Sequence, residues 1–476
     1  MANNRRTFIK QAAQLAIGFA GLETLLNQWM DGCTQLEQLP NFIYPYGPLR
    51  TDTRGVLSLP NGFRYEIISR AGQRMSDGFF TPDKADGMAT FRGPDGTVIV
   101  IRNHELMPND QGPYGVGNRQ YDRLTPSQVY DSGASGTVCQ GGTTTLVYDE
   151  EKEKVVESYL SLAGTLRNCA GGPTPWNSWI TCEEVVVNAN EKLMQDHGYN
   201  FEVPASREVH LAEPFPLKAM GRFNHEAICV DPDTGIVYET EDRHDGLIYR
   251  FLPDEPGNLR AGGRLQALKF KEHSSFDIRN WEGEPIPVGT TFSVEWIDMD
   301  EVESPNDDLR ARGSMLGAVK FARGEGMWFG ADGLVYWACT NGGKEQLGQL
   351  FRYHPSPYEG TSREAEDPGQ LVLMLEPNDA RILKNADNLT MAPWGDLIIC
   401  EDNEAPRIVG VTPEGKVYHL AENIGYASEF AGCTFSPSGK TLFVNIQHAG
   451  LTFAITGPWE KARQEQPNQE QLSESK

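Results

Sequence analysis

The stretch Gly96-Thr97-Val98-Ile99-Val100-Ile101, which stops at Asn103-His104-Glu105, decides the fold. Its apolar run is almost continuous and largely β-branched, the pattern of a strand buried on both faces. It leaves a Pro94-Asp95-Gly96 turn, where glycine readily takes a positive φ. The same design recurs along the chain. Asn177-Ser178-Trp179-Ile180-Thr181 stops at Cys182-Glu183-Glu184, and Gly235-Ile236-Val237-Tyr238 at Glu239-Thr240-Glu241-Asp242. Gly333-Leu334-Val335-Tyr336-Trp337-Ala338 stops at Cys339-Thr340-Asn341. Gly395-Asp396-Leu397-Ile398-Ile399 stops at Cys400-Glu401-Asp402-Asn403, and Gly439-Lys440-Thr441-Leu442-Phe443-Val444 at Asn445-Ile446-Gln447. Six such strands suit an all-β, about six-bladed β-propeller, the innermost strand of each blade lining a central channel. The copies lie 44 to 98 residues apart, wider than a compact blade needs, so loop insertions are expected. Strand ends scattered in sequence then meet in space at one mouth.

Composition agrees. The chain of 476 residues has 49 glycines and 30 prolines, which favours short strands and tight turns. Its net charge of −24 repels nucleic acid and anionic lipid and argues against both as partners. An anionic substrate is still compatible with it if bound cations reverse the charge locally. Eight cysteines are spread without a C-x-x-C pair, which is neither a zinc finger nor a disulfide framework. At the N-terminus, Arg5-Arg6-Thr7-Phe8-Ile9-Lys10 followed by a short apolar stretch resembles a twin-arginine export signal, giving an export segment over residues 1–33 and a periplasmic or secreted protein. Residues 34–459 are expected to form one propeller domain, with a disordered polar tail over residues 460–476.

Five segments could carry chemistry: Arg102-Asn103-His104-Glu105; Asn168-Cys169-Ala170-Gly171-Gly172 with Thr181-Cys182-Glu183-Glu184; Gly221-Arg222-Phe223-Asn224-His225-Glu226; Arg323-Gly324-Glu325-Gly326; and Cys400-Glu401-Asp402-Asn403. Each sets a carboxylate beside an apolar strand. Burying a carboxylate costs several kcal/mol, about 3–5, unless it is paired or metal-bound. Converging carboxylates therefore call for cations. Hard oxygen donors suit calcium, whereas a thiolate such as Cys182 would select a softer metal such as iron or zinc. His104 and His225 are expected to orient ligands rather than bind metal. Arg323 can grip a phosphoryl group with two parallel bonds.

The ordered set Asn168-Cys169-Ala170-Gly171-Gly172-Pro173-Thr174-Pro175-Trp176, Thr181-Cys182-Glu183-Glu184, Phe223-Asn224-His225-Glu226-Ala227, Arg323-Gly324-Glu325-Gly326, Asp387-Asn388-Leu389 and Glu429-Phe430-Ala431-Gly432 resembles the signature of PhoX-type alkaline phosphatases. The resemblance runs from about Gly62 to Trp459. It implies a six-bladed propeller with iron (Fe3+) and calcium at its centre that hydrolyses phosphate monoesters at alkaline pH. By motif, Cys182, Glu226 and Glu325 would bind iron. Glu105, Glu183 and Glu401 would bind calcium or bridge, and Arg323, with Asn103, would hold the substrate. A monomer acting on small phosphorylated substrates, carried by the twin-arginine machinery, is expected. A propeller lactonase or phytase-like hydrolase, and a non-catalytic propeller stabilised by metal, are the competing readings.

Overall fold

The computed structural model describes Leu39 and residues 41–283 and 285–460. The export segment and almost all of the polar tail lie outside the described residues. What is described is all-β, with a single α-helix, Leu309–Leu316, and a propeller-like arrangement of sheets. No helix among the described residues is long and apolar enough to cross a membrane.

The repeated strands are present and buried along their whole length, for example Thr97–His104, Val335–Cys339 and Thr441–Ile446. Alternate residues feed two different cores. Ile398 and Cys400 pack with Leu442 and Val444, while Leu397 and Ile399 pack with Tyr336 and Ala338. This two-sided burial is what the unbroken apolar runs encode.

The repeated strands are not, however, the innermost ones. Each pairs antiparallel with the strand before it in sequence, and it is those preceding strands that pack against one another. They are Ala85–Arg92, Asn168–Pro173, His225–Val230, Gly324–Phe329, Ala386–Met391 and Phe430–Phe435, each touching the next and the last touching the first. They escape a hydrophobicity reading because a crowded axis selects small residues. A Cβ on Gly87 would lie 2.7 Å from the Ala170 Cα, and one on Gly172 would lie 2.0 Å from the Ile228 carbonyl oxygen.

Closure comes from the chain ends. Arg64–Arg70 adds to the edge of Leu451–Thr456, completing a four-stranded sheet with Phe430–Phe435 and Thr441–Ile446. The excess length between copies goes into loops. The largest, Glu105 to Gln140, leaves from the end of Thr97–His104 before the chain returns as Gly141–Asp149.

Candidate metal centre

All six inner strands carry the same irregularity near their start. The ladder to the second strand slips between Ala85 and Met88, Asn168 and Gly171, His225 and Ile228, Gly324 and Met327, Ala386 and Leu389, and Ala431 and Thr434. Two residues are thereby set against one, a β-bulge, which re-aims a side chain. The first of the two is Asp86, Cys169, Glu226, Glu325, Asp387 or Gly432: five ligand-type side chains in six places. The second is Gly87, Ala170, Ala227, Gly326, Asn388 or Cys433, and these line a narrow cavity on the axis.

Side chains of the second strands stitch the bulges together. Asn103 Nδ2 donates to the Cys169 and Ala170 carbonyls at 3.0 and 2.6 Å, Thr240 Oγ1 to the Glu325 carbonyl at 2.7 Å, and Asn445 Nδ2 to the Asp86 carbonyl at 2.6 Å.

Two donor triads result. Ligand atoms of Cys169, Glu184 and Glu226 lie within 4.8 Å of one another, as do those of Glu226, Glu325 and Asp387. Glu226 belongs to both and is placed to bridge two ions. Both its oxygens are buried without a hydrogen-bond partner, as is Asp86 Oδ1. Burial, reinforced by Glu325 and Glu184, pushes the Glu226 carboxyl well above the usual carboxylate range. Burial and Glu105 do the same to Asp86, and burial and Glu325 to Asp387. Glu325 rises to about 8 through burial and Asp242, although Arg323 opposes the shift. Glu429 reaches about 11 through burial and its bond to Asp402. Uncompensated carboxylates at this density are unfavourable. Multivalent cations fit the donor set: one thiol and several oxygens, three of them without partners.

Two arginines hold the rim. Arg323 grips Asp242 through Nε and Nη2, both at 2.8 Å, and lies 3.0 Å from Glu325 Oε1. Arg167 donates to Glu105 Oε1 at 2.8 Å and to Glu184 Oε2 at 2.6 Å. Gln447 Nε2 ties Glu105 Oε2 to Asp86 Oδ2 at 2.8 and 2.6 Å.

Of the residues expected from sequence, Glu226, Glu325, Glu105 and Arg323 come together here. Cys182, Glu183, Glu401 and Asn103 do not. Cys182 packs against Ile180, Met220 and Phe223 in an apolar core, opposite the bulge whose Cys169 turns inward. Glu183 accepts from the Leu166, Gly198 and Tyr199 amides and contacts His197. Glu401 accepts from the Lys384 and Arg407 amides and the Arg407 guanidinium. Asn103 spends both ends of its amide internally, its Oδ1 accepting from Trp179 Nε1. The physical reason is strand alternation: neighbouring residues face opposite ways, so the inward donors are Glu184 and Asp402, one position on. Cys169, Glu184, Asp242 and Asp387 were in view as motif residues but had no role, and the bulge that aims Asp86, Cys169, Glu226, Glu325 and Asp387 has no apolar signature. His104 bonds the Asp83 carbonyl and Thr144, and His225 orients Glu239 rather than Glu226.

Comparison with known proteins gives a single family. The model of the family described as alkaline phosphatase PhoX matches residues 44–450. No curated protein matches the chain. Among solved structures, Pseudomonas fluorescens PhoX in complex with vanadate, a transition state analogue, superposes with a TM-score of 0.63 at 18% identity, over 86% of this chain and 97% of that one. A gluconolactonase from Xanthomonas campestris covers 87% of this chain and 98% of its own at 13% identity, with a TM-score of 0.35.

Proposed function

Because the chain belongs to the alkaline phosphatase PhoX family, we propose that it is a metal-dependent phosphatase that hydrolyses phosphate monoesters at alkaline pH. In this reading the fold is a six-bladed propeller, the nine-stranded sheet counting as two blades joined through Thr291–Asp298. The observation that carries the proposal is Glu226, buried at the junction of two donor triads with neither oxygen paired.

Cys169, Glu184 and Glu226 would hold the softer metal, iron in this proposal, and Glu226, Glu325 and Asp387 its neighbour. Asp86, Glu105, Asp402 and Glu429 provide hard oxygens suited to calcium. When bound, such cations supply Lewis-acid charge to phosphoryl oxygens. Arg323 is positioned as the phosphate clamp. Its ion pairs use Nε and Nη2, so Nη1 is left to grip a phosphoryl oxygen, and its side chain is 29% exposed at the rim. Arg167 holds Glu105 and Glu184 in place through its hydrogen bonds to both. Glu325 and Asp242 fix the Arg323 fork in turn, so charge developing on a transferring phosphoryl group meets a donor that need not reorganise. The twin-arginine-like N-terminus supports export to the periplasm or beyond, which would put the acidic surface among extracellular phosphoesters.

The test is a phosphomonoesterase assay at alkaline pH on purified protein, paired with metal analysis before and after chelation. Release of phosphate that disappears on chelation and returns with iron and calcium is the expected result. Bound metal with no phosphate release from any monoester would overturn the proposal.

A further inference from the structure

We propose that Asp131, Cys139 and His197 form a second metal site, separate from the channel centre, which takes one zinc-like divalent cation and fastens two long loops together. One ligand atom from each lies within 4.8 Å of the others, and all three residues are fully buried. A single ion with bonds of about 2.0–2.3 Å spans such a set. Sulfur, imidazole nitrogen and one carboxylate oxygen suit zinc and do not suit calcium or magnesium.

The surroundings are arranged as they are around a bound ion. His197 turns Nδ1 to Glu183 Oε1 at 2.7 Å and Nε2 toward Asp131 Oδ2 at 3.2 Å, and it also contacts Cys139. A ligating imidazole commonly gives its other nitrogen to a carboxylate, which fixes the ring. Asp131 is itself oriented: Oδ1 accepts from the Gly133 amide at 2.6 Å, and Oδ2 from the Met194 and Gln195 amides at 2.9 and 3.0 Å. A further buried polar group interacts with Cys139. The Tyr114 hydroxyl is fully buried without a hydrogen-bond partner, and its charge interactions are with Tyr121 and Cys139. It is available as an oxygen donor to complete the coordination.

Asp131 and Cys139 sit at the end of the excursion that leaves the channel rim at Glu105, and His197 sits at the end of the one that leaves at Glu184. Arg167 bridges those two exit points at the rim. The second site would tie the same two loops at their far ends. Without metal, an imidazolium proton supplies the positive charge between Asp131 and Glu183. Binding displaces that Nε2 proton and the Cys139 thiol proton, and leaves the divalent ion balanced by one thiolate and one carboxylate.

The experiment uses full-length protein as wild type, C139A and C169A, each stripped of metal and then dialysed against zinc or cobalt. C169A removes the channel thiol and leaves the proposed site intact. Wild type is expected to retain about one equivalent more zinc than C139A. In C169A, cobalt should give a thiolate-to-metal absorption band, and zinc should raise the melting temperature. Absence of the cobalt band in C169A would overturn the site even if C139A fails to fold. Zinc retention by C139A equal to that of wild type would overturn it as well, leaving the imidazolium proton as the resident cation.

Discussion

Glu183 and Glu184 are adjacent in the chain and point in opposite directions. Glu183 gathers three backbone amides and His197. Glu184 joins Cys169 and Glu226 at the centre. Their neutral isosteres should therefore fail differently. E184Q should fold with little change and lose channel metal and phosphatase activity together, activity by about 10–100-fold or more. E183Q should keep channel-metal affinity in the folded fraction and lose about 1–3 kcal/mol of stability, since buried donors lose a charged acceptor. Channel-metal stoichiometry beside urea denaturation checks both, and equal loss of channel metal in the two variants would refute the assignment.

The two cysteines divide in the same manner. Cys169 stands in the bulge facing two carboxylates, whereas Cys182 lies across the ladder in an apolar core. C182A should retain transition metal and activity and lose about 1–2 kcal/mol for the small cavity left behind. C169A should lose the thiolate-bound metal and its visible absorption. If C182A is the variant that loses the metal, the inward donor is misassigned.

Gly326 shows how tightly the axis is built. A Cβ there would meet the Leu389 nitrogen at 2.5 Å and the Asn388 Cα and Asp387 carbonyl oxygen at 2.7 Å, all backbone of the next bulge. G326A should cost about 1–3 kcal/mol by overpacking. It should also lower metal occupancy, because the displaced segment carries Asp387. Gly333 has φ +79° and open space around it. G333A should therefore cost about 1 kcal/mol in backbone strain and leave the metal content unchanged. Calorimetry with elemental analysis of the two variants separates strain at a turn from strain at the site.

Much of this was legible in the sequence, and the illegible part has a physical cause. Strands buried on both faces write themselves as unbroken β-branched runs, so Thr97–His104 and its five counterparts were readable. Inner strands such as Asn168–Pro173, with sequence Asn-Cys-Ala-Gly-Gly-Pro, carry small residues because neighbours press on them from both sides. They look like loops to any hydrophobicity reading. The polar clusters at the strand ends were likewise visible, but which of two neighbouring residues faces inward was not. That depends on the phase of the strand and on a bulge that shifts it. Glu105, Glu184 and Asp402 face the carboxylate cluster, while Glu183 and Glu401, one residue out of phase with the last two, face away from it.

His419, beside the Arg407 guanidinium, sets a pH dependence of its own. Arg407 binds both Glu401 oxygens, and its Nη1 donates to His419 Nε2 at 3.0 Å. Accepting that bond requires an unprotonated nitrogen. Burial pushes the His419 imidazole down, and the neighbouring Arg407 charge adds to this, taking it to about 3. In the unfolded chain the ring titrates near its ordinary value of about 6.5. Above that pH it is neutral in both states and contributes no slope. As pH falls from about 6.5 toward about 3, the unfolded chain binds a proton that the folded chain refuses, so stability declines by up to about 1.4 kcal/mol per pH unit from this group alone. H419Q keeps an oxygen acceptor for Arg407 and cannot titrate. Between pH 6 and 4 its stability should fall less steeply than that of wild type, by close to one proton in the linkage slope, with the two curves parallel above pH 7. Urea denaturation across this range measures the difference directly. Identical slopes would mean that His419 is protonated in the folded protein and that Arg407 has turned away from it.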